Sequence, residues 1–401
     1  MLNQNFIELN GRFQGMLKNN LVNKPTTKKL KELVISDTHL VHRRTPTTHI
    51  VNNIKSYVLN EANTDVDVIY IAGDLFDRSF DVGNEEYLVV LDFLKYLLDY
   101  CHEFNIMLRV LEGTPSHDWK QPRTLIELNN IRETPIDLKY YNVLDIEYNE
   151  KLDRYVLYIP DEYTNDHAVI EKEVAERMRE HGITQVDTAI LHGQTLHQIA
   201  GIPNFKPLAY DENYLMSVVK GFTHIGHVHR QSLYQRVSAQ GSFDRLAHGE
   251  EEDKGYVIVE DGVRTFIKNP NAFIYKTLKL TKNDNLQTLD KKINNYPKGS
   301  HIRLNLAKDH PLNNDFRNLK IRYMDYHVER LTESSESDSL AHILTDSDFK
   351  LDDFNTLTGD IKSTLRERVL TKHQLTEEEV QLLDSHLEMF NGSQNQDELE
   401  D

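Results

Sequence analysis

The chain has little cysteine, no long apolar run and fewer basic than acidic residues. Its 401 residues include a single cysteine, Cys101, which excludes an internal disulfide and fits a reducing cytoplasm. No apolar run approaches the roughly 18 residues that span a bilayer, and no charged-then-apolar leader opens the sequence. These absences predict a cytoplasmic protein without a membrane segment, and the length predicts two or three domains.

The shortage of basic residues bears on the class of partner. The chain has 64 Asp and Glu against 46 Lys and Arg, and its net charge of −18 argues against a free-standing, tight binder of nucleic acid. The charge is unevenly distributed, because residues 331–401 hold 18 acidic and 5 basic residues, whereas residues 276–330 hold 6 acidic and 12 basic residues. A nucleic-acid enzyme therefore fits this chain only if metals or a partner supply part of the affinity.

Five polar motifs each follow a short apolar run that predicts a strand. The runs are residues 33–35, 68–72, 107–111, 188–191 and 222–225. The motifs are Asp37-Thr38-His39, Gly73-Asp74-Leu75-Phe76-Asp77, Ser116-His117-Asp118, His192 and Gly226-His227-Val228-His229. Strands that present Asp and His at their carboxyl ends, separated by helices, build a site at one rim of an open α/β sheet.

The residue types in these motifs indicate metal chemistry on a phosphoester. Two divalent cations about 3.5–4 Å apart neutralise phosphodiester charge and supply hydroxide near neutral pH. Mixed carboxylate and imidazole ligands suit manganese, iron or zinc rather than calcium. At a spacing of two, Asp37 and His39 lean the same way, and Asp74 has two oxygens that can bridge two ions. A lone Asp-x-His or His-x-His motif is more typical of surface residues than of a metal site, but all five motifs in order predict a two-metal phosphoesterase centre.

The order of the motifs resembles the calcineurin-like metallophosphoesterases. Residues 241–246 and 249–260 further resemble the segment after the last His motif of SbcD-type DNA repair exonucleases, the nuclease subunits of SbcCD-like complexes. The resemblance covers about residues 31–270. It implies a DNA nuclease with two divalent metal ions, most often manganese. The ligands that it implies are Asp37, His39, Asp74, His192, His227 and His229.

The resemblance also assigns roles within the third motif. His117 falls where the family has its catalytic His, which orients the phosphate or protonates the leaving oxygen. The family usually reads Gly-Asn-His-Asp or Gly-Asn-His-Glu, with Asn as a metal ligand. Here the residues 113–118 read Gly-Thr-Pro-Ser-His-Asp, so Ser116 takes the Asn position and is the expected seventh ligand. Asp77 and Asp118 either orient ligands and loops or are ordinary turn carboxylates.

Four further residues are candidate contacts to DNA. Arg43 and Arg44 follow the first motif and either touch phosphate or lie in a solvated loop. Trp119, the single tryptophan, either stacks on a nucleobase or fills the core under its loop. Ser242 belongs to the nuclease-like stretch after the last His motif.

The expected fold is α/β, with the family's four-layer α/β/β/α sandwich over residues 31–272 after an N-terminal extension, 1–30. Strands predicted at 233–239, 256–260 and 264–268 would complete the second sheet. A small α+β capping domain that contacts DNA is expected over 273–331, with strands at 277–280 and 301–306, a helix at 286–294 and a last strand at 320–330. It occupies the place of the DNA-contacting cap in SbcD-like nucleases.

The remaining predictions concern partners. An acidic linker, 332–349, precedes a helical pair, 350–391, and a disordered tail, 392–401. The helical pair either binds the coiled-coil base of an SbcC-like ATPase or folds back onto the body. The apolar stripe of a helix predicted at 84–104 either forms a homodimer contact or packs on the sheet.

Two other functions compete with a DNA nuclease. One is another phosphoesterase of the superfamily, a phosphatase or a cyclic nucleotide phosphodiesterase. The basic residues 276–330 and the stretch after Gly241 argue against it. The other is a non-catalytic scaffold on a degenerate phosphoesterase fold. Ser116 in the Asn position favours that reading, and the presence of every other ligand argues against it.

Overall fold

The computed structural model describes residues 29–331 except 81–82, 84, 162–165, 200–208 and 308–309. The predictions for residues 1–28 and for the linker, helical pair and tail from residue 332 onward lie outside the described residues. The strands are β1 (Lys31–Ile35), β2 (Val68–Ala72), β3 (Met107–Leu111), β4 (Leu138–Tyr141), β5 (Asp145–Asn149), β6 (Arg154–Ile159), β7 (Thr188–Gly193), β8 (Thr223–His227), β9 (Ser232–Tyr234), β10 (Val237–Ala239), β11 (Gly255–Glu260), β12 (Val263–Lys268), β13 (Tyr275–Leu280), β14 (His301–Leu306) and β15 (His327–Arg330). The α-helices are α1 (Thr47–Tyr57), α2 (Tyr87–Glu103), α3 (Pro115–Asp118), α4 (Arg123–Asn130), α5 (His167–Glu180), α6 (Leu196–Ile199), α7 (Glu212–Val218), α8 (Leu286–Ile293) and α9 (Phe316–Arg322).

Two six-stranded sheets form the body of an α/β fold. The first has the strand order β12-β11-β1-β2-β3-β4, and the second has the order β5-β6-β7-β8-β10-β9. In each sheet the central strands run parallel, so their carboxyl ends meet at one rim. The central strands β2 and β3 are buried along their whole length, which explains their continuous apolar sequence.

The two sheets face each other across an apolar core. Val34 of β1 and Tyr70 of β2 contribute to this core from the first sheet, and Tyr158 and Ile190 contribute from the second. A second core lies between the first sheet and helices α1, α2 and α4, and a third lies between the second sheet and helices α5 and α7. This packing fixes how the rims of the two sheets meet.

Three strand predictions differ from the structure. Residues 233–239 form the antiparallel hairpin β9–β10 rather than one strand, because Gln235 turns the chain at a φ of 52°. Strands β11 and β12 belong to the first sheet rather than the second, since β11 pairs antiparallel with β1. Residues 320–330 begin in helix α9 and only then enter β15.

A buried ion pair joins the two sheets. The guanidinium of Arg109 on β3 donates two hydrogen bonds of 2.8 Å to the carboxylate of Glu147 on β5. The hydroxyls of Tyr141 and Tyr158 donate to the same carboxylate at 2.9 and 3.1 Å. Burial alone would raise the pKa of Glu147, but Arg109 and then Lys139 lower it to about 2. The pair therefore holds the sheets in one relative position.

Replacing Glu147 with alanine should lower the free energy of unfolding by about 3–5 kcal/mol, because the Arg109 charge stays buried without its main partner. The double variant Arg109→Met, Glu147→Leu should lose less, since it leaves neither buried charge behind. The pKa of Glu147 lies below its ordinary value of 4.5. The stability that Glu147 contributes is therefore complete above pH 4.5 and is lost as the pH falls toward about 2. Urea unfolding should therefore show a smaller difference in the free energy of unfolding between wild type and Glu147→Ala at about pH 4 than near neutral pH. A larger difference at about pH 4 would contradict this.

A third, smaller sheet follows the body. Strands β13, β14 and β15 pair in parallel, and helices α8 and α9 pack on them around a separate apolar core. The Thr45 hydroxyl lies 3.0 Å from that of Tyr275, and the backbone N–H of Phe273 donates to Asp244. These contacts place the small unit beside the loop that follows β1.

The long helix α2 turns most of its apolar stripe toward the first sheet. Phe93, Leu94 and Leu98 are buried in the core between them, while Leu88 and Tyr96 remain exposed. Packing on the sheet thus accounts for the stripe, and a dimer contact would have to use the exposed remainder. Within the described ranges, no helix combines the length and apolar character needed to cross a bilayer.

Candidate metal centre

The predicted ligands lie together where the rims of the two sheets meet. Asp37 and Asp74 follow the carboxyl ends of β1 and β2 in the first sheet, while His192 and His227 lie at the ends of β7 and β8 in the second. The side chains form three buried groups, each compact enough to hold a metal ion. The groups are Asp37, His39 and His229; His39, Asp74 and His117; and Asp74, His192 and His227.

The backbone at these positions is held in an unusual conformation. Asp37, His39, Asp74 and His227 have φ values of 50°, 45°, 50° and 95°. Such left-handed residues cost of the order of 1–3 kcal/mol each unless they are glycine, and they persist where the surroundings over-determine them. Here the backbone N–H groups of Thr38 and His39 both donate to the carbonyl of Asp74, at 2.9 and 3.1 Å. The two ligand loops are therefore fastened to each other.

Two glycines let the sheets approach closely enough to form the site. A Cβ atom on Gly73, whose φ is +85°, would lie 2.1 Å from Nδ1 of His192 on the opposite sheet. A Cβ atom on Gly226 would lie 2.2 Å from the Ala72 carbonyl oxygen. Only glycine fits at these two positions without moving a ligand, which explains why glycine precedes both Asp74 and His227 in the motifs.

The first group has two imidazole nitrogens that face each other. The Nε2 atoms of His39 and His229 are 3.1 Å apart. Their Nδ1 atoms lie 3.3 Å from an Asp77 oxygen and 2.8 Å from a Glu250 oxygen. With the Nδ1 proton of His229 directed to Glu250, the Nε2 lone pair of His229 faces Nε2 of His39, and a cation fits between the two rings. The donor set, with Asp37, therefore fits a metal ion.

The second group is formed by Asp74, His192 and His227, and Asp74 also lies beside the first group. Oδ2 of Asp74 lies 3.2 Å from His192 Nε2 and 3.6 Å from His39 Nε2, so this oxygen lies between the groups. Nδ1 of His192 lies 2.8 Å from the Ala72 carbonyl oxygen, which leaves Nε2 to act as a ligand. Burial opposes the charge on Asp74, yet His192, His39 and His117 hold its pKa well below the ordinary value. Asp74 is therefore ionised and suited to bridge two cations.

His117 forms a compact group with His39 and Asp74. Its Nδ1 is 2.7 Å from the Asp77 carbonyl oxygen, and its ring centroid is 4.9 Å from that of His39. This places its other nitrogen where it can act on a bound group or serve as a ligand. The Asp118 carboxylate accepts backbone N–H groups from Asp74, Phe76 and Gly113 at 3.1, 2.9 and 2.7 Å. Asp77 and Asp118 thus both orient neighbouring groups, the former an imidazole and the latter the loops.

Thr114, rather than the predicted Ser116, faces the second group. Ser116 lies in α3 and is exposed, which is at odds with a metal ligand. The buried Thr114 hydroxyl lies 3.3 Å from Asp74 Oδ2, 3.5 Å from His192 Nε2 and 3.4 Å from His227 Nδ1. Thr114 follows Gly113 directly, so the two extra residues come after the ligand position rather than before it.

Asp161 is a carboxylate near the site that the sequence motifs did not indicate. It follows β6 and accepts a 3.0 Å hydrogen bond from the Thr114 hydroxyl. Its Oδ2 atom is also 3.8 Å from His227 Nδ1. Since the single hydroxyl proton goes to the nearer carboxylate, the lone pairs of Thr114 are directed at His192 and His227. The position of Asp161 two residues after the apolar end of β6 was the available signal.

The acidic stretch after the last His motif supports His229. Glu250 is buried, contacts His229 Nδ1 and lies 2.9 Å from the ammonium of Lys254. Lys254 is also buried, and it donates to the His229 carbonyl oxygen at 3.0 Å. Burial opposes the charge on Glu250, but Lys254 and His229 lower its pKa. This stretch therefore orients a ligand.

The candidate DNA contacts fall into two classes. Arg43, Arg44 and Trp119 are exposed. Ser242 is fully buried, and its hydroxyl donates to the Asp244 carbonyl oxygen at 2.8 Å, which is at odds with a contact to DNA. Its backbone N–H donates to the His229 carbonyl oxygen at 3.0 Å, so Ser242 positions the loop beside that ligand instead.

Replacing Thr114 with valine, which keeps the shape but removes the hydroxyl, should weaken metal binding by about 10- to 100-fold. The reason is that an oxygen donor is lost at the second group. Ser116→Ala is the matched control and should leave metal affinity unchanged. Calorimetric titration of Mn²⁺ into the three proteins measures this, and a loss in Ser116→Ala with none in Thr114→Val would contradict the assignment.

Comparison with known proteins adds little to this geometry. No protein-family model and no curated protein matches the chain. Among the solved structures that match, one has a TM-score of 0.37 and 12% sequence identity, and the match covers 60% of this chain and 99% of that one. A likeness at this level carries no argument about fold family or function.

Proposed function

We propose that this protein is a metal-dependent DNA nuclease that hydrolyses phosphodiesters at a dinuclear centre. The observation that carries the proposal is the convergence of Asp and His from two sheets on two adjoining groups, with one oxygen of Asp74 lying between a histidine of each. Manganese is the proposed metal, because the ligands combine imidazole with carboxylate. The arrangement of two facing sheets with helices outside them supports the four-layer sandwich of the calcineurin-like metallophosphoesterases as the finer fold.

The chain's own residues would divide the work between them. Two divalent cations, when bound, would neutralise phosphate charge and make a water more acidic. Hydrogen-bond acceptors hold Nδ1 of His192 and of His229, and Nδ1 of His39 lies 3.3 Å from an Asp77 oxygen, so their Nε2 atoms would hold the metals in a fixed place. His117, fixed by the Asp77 carbonyl, would orient a phosphate oxygen or protonate the leaving oxygen. Because the protein holds these side chains in place before metal and substrate bind, little free energy is lost in ordering them during the reaction.

A basic cleft supports nucleic acid over a small phosphoester. A cavity of about 500 Å³ lies where the body meets the small unit and is lined by Arg44, His301, Lys320 and His327 together with Glu329. Glu329 is already engaged by Arg303 at 2.6 Å, and burial lowers the pKa of His301 to about 4, so the positive charge of the cleft near neutral pH comes from Arg44 and Lys320. Arg44 is five residues beyond the ligand His39. A nucleic-acid strand bound at the metal groups would therefore extend into this cleft, where basic side chains contact its phosphates.

The wider assignments rest on the resemblance to SbcD-type nucleases. We propose an SbcC-like coiled-coil ATPase as the partner through residues 350–391, a homodimer, and a cytoplasmic location. Such a partner would supply DNA affinity that an acidic chain lacks. Removing residues 345–401 should then abolish association with the ATPase but spare metal-dependent cleavage.

Cleavage assays with purified full-length protein and Mn²⁺ test the central proposal. Linear DNA should be degraded, degradation should stop when the metal is chelated, and a phosphomonoester should react poorly. DNA left intact while the monoester is hydrolysed would instead favour a phosphatase. Failure to act on either, with no Mn²⁺ bound, would favour a non-catalytic scaffold.

A further inference from the structure

An exposed indole, that of Trp119, lies two residues along the chain from His117 of the candidate metal centre. The Trp119 side chain is 62% exposed, although it is the single tryptophan and follows the buried His117 and Asp118 directly. Trp119 and Lys120 have φ values of 49° and 59°, so two successive non-glycine residues adopt the left-handed conformation. This backbone is costly, and the structure maintains it while leaving a large apolar ring in water.

The exposure of Trp119 does not come from a loose loop. Its indole N–H donates to the Ser116 carbonyl oxygen at 2.7 Å, which fixes the ring. The next backbone N–H, that of Lys120, donates to the Glu112 carboxylate at 2.8 Å. On the other side, Asp118 is tied to the ligand loop by its hydrogen bond from the Asp74 N–H. The ring is therefore held in place outside the core, and the reading of Trp119 as a core residue is wrong.

The chemistry of the ring limits what can cover it. Its single polar atom is already bonded within the loop, so the remaining recognition surface is a flat apolar face. A flat aromatic partner beside a phosphoester site is a nucleobase, and base–indole stacking tolerates any sequence. A base inside a duplex has both faces covered by its neighbours, so an indole outside the helix can stack only on an unpaired or terminal base.

We propose that Trp119 is a stacking platform for an unpaired nucleobase adjoining the phosphate to be cleaved, which directs the enzyme to single-stranded or frayed DNA ends. This inference rests on the proposed nuclease function and specifies its substrate. Trp119 selects and positions the strand, while the metal groups and His117 remain responsible for hydrolysis.

Because Trp119 is the single tryptophan, the intrinsic tryptophan emission of the chain reports on this ring alone. The His117→Asn variant with a constant Mn²⁺ concentration would be titrated with a single-stranded oligonucleotide, so that cleavage is slow during the measurement. A labelled strand gives the affinity by anisotropy in the same samples. Emission should be quenched on binding of the base-containing strand, but much less by an abasic strand of equal charge or by a blunt duplex.

Variants at two neighbouring positions separate stacking from charge. Trp119→Ala should weaken binding of the single strand between about fivefold and about 100-fold, and Trp119→Phe should weaken it less because a ring remains. Lys120→Ala should weaken the base-containing and abasic strands equally. Affinity that is unchanged in Trp119→Ala, or quenching that is equal for the abasic strand, would overturn the stacking role. An emission change that depends on protein concentration without DNA would also overturn it and would indicate a second copy on this ring.

The experiments distinguish a failure of the proposed nuclease function from a failure of the stacking role of Trp119. If no oligonucleotide binds in the anisotropy measurement and the wild-type protein does not cleave DNA with Mn²⁺, the nuclease function itself is wrong. If oligonucleotides bind and are cleaved by the wild-type protein without base-dependent quenching, only the stacking platform is wrong.

Discussion

Replacing Asp74 with asparagine is expected to reduce both Mn²⁺ affinity and DNA cleavage by more than about 100-fold, beyond the typical cost of losing a residue that merely orients a ligand. The reason is its position, since one oxygen of Asp74 lies within 3.6 Å of a histidine nitrogen from each of the two groups. Asparagine keeps the size of the side chain and an acceptor for the Thr114 N–H, which Asp74 receives at 2.6 Å. The loss therefore reports on the missing charge rather than on a collapsed loop.

Asp77→Asn provides the matched control for this experiment. Asp77 belongs to the same motif and contacts His39 Nδ1 at 3.3 Å, but it is not one of the residues in the three candidate groups. Its replacement should cost no more than about 10- to 100-fold, because an asparagine oxygen can still accept the imidazole proton. Calorimetry and cleavage rates measured on the same preparations decide the ranking. Equal losses in the two variants would mean that Asp74 does not bridge the groups.

Replacing His117 with asparagine should lower the rate of DNA cleavage by about 10²–10⁴-fold while metal binding stays close to that of wild type. Its Nδ1 is held by the Asp77 carbonyl, so its other nitrogen is free to exchange a proton with a substrate oxygen. Geometry alone also allows a ligand role, because His117 forms a compact group with His39 and Asp74. Comparing Mn²⁺ stoichiometry with the cleavage rate separates the two roles. A variant that loses one bound Mn²⁺ per chain would show that His117 is a ligand instead.

The convergence of the site could be predicted because it follows from one rule about strand ends. Parallel strands with apolar runs place the next residues at a common rim, and Asp37, Asp74, His192 and His227 all obeyed it. Asp161 obeys the same rule after β6, but it stands alone, without a second Asp or His to mark it as a motif. A lone carboxylate after a strand is too common to be singled out from sequence.

Other features depend on contacts that a local pattern does not contain. Strand β11 joins β1 in the first sheet through the pairing of Leu33 with Ile258, far apart in the chain, so its sheet could not be assigned from its own apolar alternation. The expected ligand of the third motif, Ser116, was placed by counting the spacing back from His117. The short helix α3 leaves Ser116 exposed, and only the structure shows that the hydroxyl of Thr114 faces the second group.

The most direct test of the central claim is anomalous diffraction at the manganese absorption edge from crystals of the protein grown with Mn²⁺. The account predicts two peaks per chain, one beside Asp37, His39 and His229 and one beside His192 and His227, with Asp74 in contact with both. A single peak, or manganese bound elsewhere on the chain, would contradict a dinuclear centre at this rim.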